Sequence, residues 1–360
     1  MSENIPTWST ITSRLVRGED LDVHEASWAM DEVMLGNTTA VQLAGFLVAL
    51  QAKGVSSDEL AALADSMVAH ARPVRSPQRC IDIVGTGGDL ARTVNISTMA
   101  SMVIASTGRP VVKHGNRASS SKSGSADVLE ELGVRLDLPL SAVEDLVEEI
   151  GMTFLFAQVF HPSMRFAAEA RKGLGIPTVM NILGPITNPA MPRASAVGVA
   201  DVTIAPTVAG VFAARGTSAL VFRGLDGLDE LTVTGESQVW EVRGAEVREH
   251  LLDPHRLLGL SRAGHDALRG GTAAENAQVA RDLFDGSREG RMEAVRDAVL
   301  LNAASGVQAF DGIGLEASDG FEDRFVAAYG EVEAALDSGR PKELLENWAA
   351  ASQRVMSSQG

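Results

Sequence analysis

The chain has 360 residues, 45 % of them apolar, and a formal net charge of −16 at pH 7; this length favours roughly two domains. The acidity, with only 4 % aromatic residues and a single Tyr, excludes non-specific nucleic-acid binding and base stacking. One cysteine, Cys80, excludes an intramolecular disulfide and any multi-cysteine metal site. No apolar run is long enough to span a bilayer and no basic-then-apolar leader is seen, so a soluble cytoplasmic protein is the expectation.

Residues 1–72 read as all-helical. Apolar residues recur at helical spacing over Asp22–Leu35, which stops at Gly36, and over Thr38–Lys53, which stops at Gly54. Ser57-Asp58-Glu59 opens a third helix running to about Ala71, and residues 72–79, with two prolines, read as a linker. Strands and helices then alternate. Strands are predicted at Ile81–Val84, Val111–Lys113, Arg135–Leu138, Thr153–Ala157, Ala194–Val199 and Ala219–Phe222. Helices are predicted at Ile96–Thr107, Ala126–Leu132, Ser141–Ile150, from Ser163 to about Leu174, and at Pro206–Arg215. This rhythm predicts an α/β fold: a small N-terminal helical domain plus a large α/β domain with a mostly parallel sheet flanked by helices. Leu231–Thr234, Gln238–Val242 and Glu246–Glu249 suggest an antiparallel excursion. From Thr272 to about Gln353 the pattern is helical, interrupted at Gly286, at Gly306 and over 311–320.

Two strands end in glycine-rich turns, Gly85-Thr86-Gly87-Gly88-Asp89 and Lys113-His114-Gly115-Asn116-Arg117. Glycines there let the backbone approach an anion, and consecutive N–H groups form a nest for phosphate oxygens. The first turn is neither the dinucleotide fingerprint nor the Walker A pattern, so neither chemistry transfers. A glycine-rich turn without a ligand is the simpler reading of it alone. Asn95-Ile96-Ser97-Thr98 opens the next helix. These side chains serve either as N-caps or as donors aimed, with the positive helix end, at a phosphate or metal. The second turn continues into Ser119-Ser120-Ser121-Lys122-Ser123-Gly124-Ser125, a polar run suited to a flap over a phosphate ligand. Arg171 and Lys172 read alone as an exposed basic helix face, and Asn181–Pro189 as an apolar segment ending in a turn. Asp229-Glu230 is either an exposed acidic turn or a site for a hard cation such as magnesium.

These segments, with Leu301-Asn302-Ala303-Ala304 and Ser123–Glu130, occur in the order seen in the anthranilate phosphoribosyltransferase family, which the chain resembles from its N-terminal helices to about residue 310. The resemblance implies a homodimer. It implies a helical domain over 1–72, joined by a helical segment near 163–185, and a phosphoribosyl pyrophosphate-binding α/β domain over 80–360, with the active site between them. It implies transfer of phosphoribosyl from phosphoribosyl pyrophosphate to anthranilate in tryptophan biosynthesis, with Mg2+, two ions per subunit. By resemblance Gly85, Gly88, Asp89, Thr93, Asn95, Ser97, Thr98, Lys113 and Ser125 hold phosphoribosyl pyrophosphate. Gly85, His114, Asn116, Arg171 and Gly184 meet anthranilate, and Ser97, Asp229 and Glu230 hold the metal. Lys113, Arg171 and Asn116 are the residues expected to carry catalysis. Leu90, Pro177 and Met180 depart from residues frequent in the family. A pyrimidine nucleoside phosphorylase, using free phosphate and a nucleoside, and a non-catalytic nucleic-acid-binding relative are the alternatives on the same fold.

Overall fold

The computed structural model describes residues 5–118 and 122–357. Four helices lead the chain: α1 (Trp8–Val16), α2 (Val23–Leu35), α3 (Ala40–Lys53) and α4 (Ser57–Ala69). Each starts at a residue whose side chain accepts from the N3 backbone, while the N3 side chain returns the contact. The pairs are Thr7 with Thr10, Asp22 with Glu25, Thr39 with Gln42 and Ser56 with Glu59. Glu59 does more than cap. Fully buried, it also accepts from the Leu21 N–H at 2.9 Å and pairs with Lys53 at 2.7 Å, tying α3 and α4 to the segment that leads into α2.

The chain continues through β1 (Ile81–Gly85), α5 (Ile96–Ser106), β2 (Val111–Gly115), α6 (Ser125–Glu131), α7 (Leu140–Ile150) and β3 (Met152–Phe156). A helical stretch follows: α8 (Ala157–Phe160), a 3-10 turn over Pro162–Ala167, α9 (Ala168–Leu174) and α10 (Val179–Ile186). Then come β4 (Ala194–Gly198), α11 (Ala205–Ala214), β5 (Ser218–Gly224), β6 (Ser237–Arg243), β7 (Glu246–Leu252) and α12 (Pro254–Leu258). The chain ends in α13 (Ala273–Phe284), α14 (Met292–Asp311), α15 (Phe321–Asp337) and α16 (Arg340–Ser357). Two compact units result: one is the chain up to Pro73 with Ala157–Pro189, the other Val74–Phe156 with the chain from Ala190 onward.

The second unit holds one seven-stranded sheet of order β3-β2-β1-β4-β5-β6-β7. The pairs from β3 through β5 are parallel; β6 and β7 add antiparallel pairs. The order runs one way from β1 to β2 and β3, and the other way from β1 to β4 and β5. The strand order therefore reverses between β1 and β4, and in open α/β sheets the crevice outside the strand ends at such a point is where ligands bind. Gly85 and Gly198 are register partners at the carboxyl ends of these two strands.

Four expectations from the sequence differ from the structure. Residues 135–138 are not a strand. Val134 and Leu136 are buried as the alternation suggests, but the Arg135 N–H goes to the Ser352 hydroxyl of α16 at 2.9 Å rather than to a sheet. Residues 231–234 are not a strand either, because the Leu231 and Thr232 N–H groups bond to side chains of Asn302 and Ser237. Gly306 does not break a helix. It lies inside the 20-residue α14, where an added Cβ would come within 2.3 Å of Ile104 Cδ1 on α5. The glycine is there to let two helices approach. Residues 181–186, read as an apolar lead into a turn, belong to α10.

Candidate active site

The first glycine turn leaves β1 at the switch point. Gly87 and Gly88 adopt φ of 67° and 86°, in the left-handed region that glycine enters without a Cβ penalty. Leu90 and Arg92 also have positive φ, 60° and 55°. Leu90 thus stands in a conformation suited to the glycine frequent in the family, and its side chain is 78 % exposed. Asp89 turns inward to accept from the Ala91 N–H at 3.1 Å. Thr93 is pinned by an isolated antiparallel bridge to Arg269, with Gly270 donating to the Arg92 carbonyl at 2.8 Å.

Asn95 precedes α5 but makes no side-chain cap. Its amide donates to the Ser123 carbonyl at 3.3 Å and its oxygen accepts from Asn276 of α13 at 2.8 Å, so the residue braces a loop against a helix instead. Thr98 and Ser125 meet through their hydroxyls at 3.1 Å, joining the starts of α5 and α6. Of the Ser119–Ser125 flap, Ser119, Ser120 and Ser121 lie outside the described residues.

Lys113, on β2, is buried, and its ammonium donates to the Ile83 carbonyl at 2.5 Å and contacts the Ser97 hydroxyl at 3.3 Å. Burial pushes its pKa down, and the charges of Asp82 and Glu230 push it back up. His114 donates its main-chain N–H to Asp82 at 3.1 Å. The Asn116 side-chain oxygen accepts from the Arg117 N–H at 2.8 Å, and Arg117 pairs with Asp127 and Glu130 of α6.

Asp229 and Glu230 follow β5 and are buried. Asp229 Oδ2 accepts from the Gly87 N–H at 2.6 Å. A Cβ on Gly85 would meet that same oxygen at 2.2 Å, and a Cβ on Gly198 would meet the Asp229 carbonyl oxygen at 1.7 Å. Both strand-end glycines therefore make room for one aspartate. Burial raises the Asp229 pKa, with the charge of Asp89 adding to it. Burial and Asp229 raise that of Glu230 well above the usual carboxylate range, against Lys113 and a hydrogen bond from the Ser97 main chain at the start of α5. Two adjacent carboxylates, buried and pushed toward protonation, are an oxygen donor set whose charge Lys113 offsets only in part. Among the described residues no group of three His, Cys, Asp or Glu side chains is placed to hold a metal. Magnesium takes one or two carboxylates and completes its shell with water and phosphate oxygens, and the Asp229–Glu230 pair supplies that number.

The second unit thus carries Gly85, Gly88, Asp89, Thr93, Asn95, Ser97, Thr98, Lys113, His114, Asn116, Ser125, Asp229 and Glu230, with contacts joining Gly87 to Asp229, Lys113 to Ser97 and Thr98 to Ser125. Arg171, on α9, and Gly184, on α10, belong to the first unit. Burial lowers the Arg171 pKa, and no ion pair engages its guanidinium among the described residues. Sequence reasoning missed Gly198. Its only signal was a glycine at the end of a predicted strand. Asp226, part of the acidic stretch 226–230 but given no role of its own from sequence, accepts from the Leu228 N–H at 3.2 Å and from the Thr232 and Thr234 hydroxyls at 2.7 and 2.5 Å, closing the acidic turn on itself.

Comparison with known proteins agrees with this geometry. The family model described as "Glycosyl transferase family, a/b domain" matches residues 77–340, and the one described as "Glycosyl transferase family, helical bundle domain" matches residues 9–71. The chain is 55 % identical over 344 residues to an anthranilate phosphoribosyltransferase of Arthrobacter sp. (strain FB24), covering 96 % of each. Its structure is similar to that of the anthranilate phosphoribosyltransferase of Thermus thermophilus, with TM-score 0.85 and 40 % identity over 95 % of this chain and 99 % of that one. It is also similar to the enzyme of Saccharomyces cerevisiae in complex with PRPP and Mg, with TM-score 0.84 and 26 % identity over 96 % and 98 %. With a glycine-lined switch point, a buried acidic pair and relatives matched over nearly their whole length, the chain belongs to the anthranilate phosphoribosyltransferase family.

Proposed function

We propose that this chain transfers the 5-phosphoribosyl group of phosphoribosyl pyrophosphate to the amine of anthranilate, giving N-(5-phosphoribosyl)anthranilate and pyrophosphate for tryptophan biosynthesis. The observation that carries this reading is the glycine cradle at the β1/β4 switch point, into which Asp229 of the buried acidic pair is hydrogen-bonded. Gly85, Gly88, Asp89, Thr93, Asn95, Ser97, Thr98, Lys113 and Ser125 hold phosphoribosyl pyrophosphate. Two N–H groups of Lys113 are engaged by Ile83 and Ser97, leaving one for an anion.

Asp229, Glu230 and Ser97 hold Mg2+, two ions per subunit. When bound, the metal neutralises charge on the departing pyrophosphate. The rest falls to the protein. The glycine-turn N–H groups, the start of α5 and Lys113 meet the negative charge that develops as the C1–O bond breaks. Arg171 takes the anthranilate carboxylate in a charge-assisted contact, with His114, Asn116, Gly85 and Gly184 around the ring, so that the amine faces C1. Anthranilate's amine is aromatic and unprotonated near neutral pH, so its attack needs no strong base.

The assembly in this reading is a homodimer in the cytoplasm. Val41 and Val48, seven positions apart on α3 and 83 % and 42 % exposed, support a protein surface there. No helix among the described residues is long and apolar enough to cross a membrane. Anthranilate with phosphoribosyl pyrophosphate is expected to react, and thymidine with phosphate is not; the reverse pattern would favour the phosphorylase. Arg171→Ala is expected to raise the KM for anthranilate at least tenfold and to leave that for phosphoribosyl pyrophosphate near its starting value, as loss of one charged contact does. An unchanged anthranilate KM would contradict the role given to Arg171.

A further inference from the structure

Asn302 sits in the middle of α14 among Leu300, Leu301, Ala303 and Ala304, all fully buried, and is itself fully buried. Its side chain does not pack as an apolar one would. The oxygen accepts from the Leu231 N–H at 3.0 Å, and the amide donates to the Leu231 carbonyl at 3.0 Å. The second amide hydrogen goes to the Ala298 carbonyl one turn earlier at 2.8 Å. Asn302 thereby closes on Leu231 the two-way pair that a neighbouring strand would make. Leu231, 1 % exposed, directly follows Glu230. The near end of the same turn is held by Asp226 and by the bond from the Gly224 N–H to the Leu228 carbonyl at 2.9 Å. The far end has the Asn302 clamp and the Ser237 hydroxyl, which accepts from the Thr232 N–H at 3.0 Å.

We infer that Asn302 is a positioning residue for the reaction: through Leu231 it fixes where Asp229 and Glu230 present their carboxylates. This rests on the reading that the acidic pair holds the divalent cation. The helix α14 packs against β1 and β4 and so carries the geometry of the sheet directly to the acidic turn. An alanine at 302 leaves two buried main-chain groups of Leu231 without partners, and the turn shifts to find others. An aspartate keeps the acceptor for the Leu231 N–H but loses the donor to its carbonyl.

The test compares Asn302→Ala, Asn302→Asp and Asn302→Ser with Ser305→Ala. Ser305 is equally buried on the same helix, and its hydroxyl bonds within that helix, to the Asn302 carbonyl at 2.7 Å. Thermal unfolding reports stability, Mn2+ binding in the presence of phosphoribosyl pyrophosphate is read by electron paramagnetic resonance, and the Mg2+ dependence of the rate is measured beside the KM for anthranilate. Asn302→Ala and Asn302→Asp are expected to weaken Mn2+ binding and raise the half-saturating Mg2+ at least tenfold, with the anthranilate KM within twofold. Asn302→Ser should be intermediate, and Ser305→Ala should move neither metal readout. Equal metal binding in Asn302→Ala and Ser305→Ala overturns the inference, as does failure of every Asn302 variant to fold, since the role is then structural. Asp229→Asn in parallel separates the two claims. If it leaves Mn2+ binding unchanged, the acidic-pair reading fails; if it abolishes binding and Asn302→Ala does not weaken it, only the positioning role fails.

Discussion

A missing methyl group at position 198 decides where the acidic pair can go. The Asp229 carbonyl lies where a Cβ would stand, 1.7 Å away, and main chain cannot yield as a flexible side chain would. Gly198→Ala is therefore expected to push the acidic turn outward by more than an ångström. At about 100-fold loss per ångström of misplacement, kcat/KM should fall by about that factor, with stability reduced by about 1–3 kcal/mol from overpacking. Steady-state kinetics and urea unfolding check both, and a near-wild-type kcat/KM would sink the argument. Residues also differed in how far the sequence disclosed them. Gly87 and Gly88 were legible because glycine runs after a strand signal positive φ. Asn95 was not: the sequence left open a cap or a reach beyond the helix, and only the contacts to Ser123 and Asn276 show that it does not cap. Gly198 was hidden because nothing local tells a glycine that ends a strand from one that admits a residue 31 positions later.

Among elements, α14 is the one whose reading changed most. Gly306 looks like a helix stop, since glycine disfavours a helix interior by about 1 kcal/mol relative to alanine. Its cause is tertiary: α5 crosses so closely that Ile104 occupies the space of a Cβ. Gly306→Leu is expected to cost about 1–3 kcal/mol by overpacking that crossing, measured by urea unfolding; a stabilised variant would contradict the packing assignment. The β6–β7 hairpin is held down by charge. Glu241 on β6 is 1 % exposed, and burial alone would raise its pKa. Hydrogen bonds from Arg243 and Arg324, with the His250 ring 3.4 Å away, outweigh that and hold it down to about 2. A lowered folded pKa contributes stability that is complete above the unfolded value near 4.5 and is lost as pH falls toward 2. Glu241→Gln should therefore cost about 3–5 kcal/mol at neutral pH, leaving the buried Arg243 guanidinium unpaired. The gap from wild type should shrink between pH 4.5 and about 2. A gap independent of pH would mean that the carboxylate charge is not what joins β6 to β7 and α15. Segments 135–138 and 231–234 show the converse. Over 134–137 burial alternates in a chain whose Arg135 N–H bonds to α16 rather than to a strand, so period alone overcounts strands. Over 231–233 every residue is buried, and the Leu231 and Thr232 N–H groups bond to side chains.

For the molecule, the alternation of strands and helices made the α/β class and the leading helical bundle legible. The strand order was not, because which strands pair depends on crossovers that no local pattern encodes. It is that order, β2-β1-β4-β5, that turns two glycine-ended strands into the walls of one site. The central claim is that this site performs magnesium-dependent phosphoribosyl transfer through Asp229 and Glu230. The most direct measurement follows loss of anthranilate fluorescence by purified protein with phosphoribosyl pyrophosphate as Mg2+ is titrated, in the wild-type chain and in Asp229→Asn and Glu230→Gln. Wild type should consume anthranilate only with Mg2+, and each variant should need at least tenfold more Mg2+ or lose about 100-fold in rate, the scale of losing a charge-stabilising group. Consumption that is indifferent to Mg2+, or variants that match the wild type across the titration, would contradict the account.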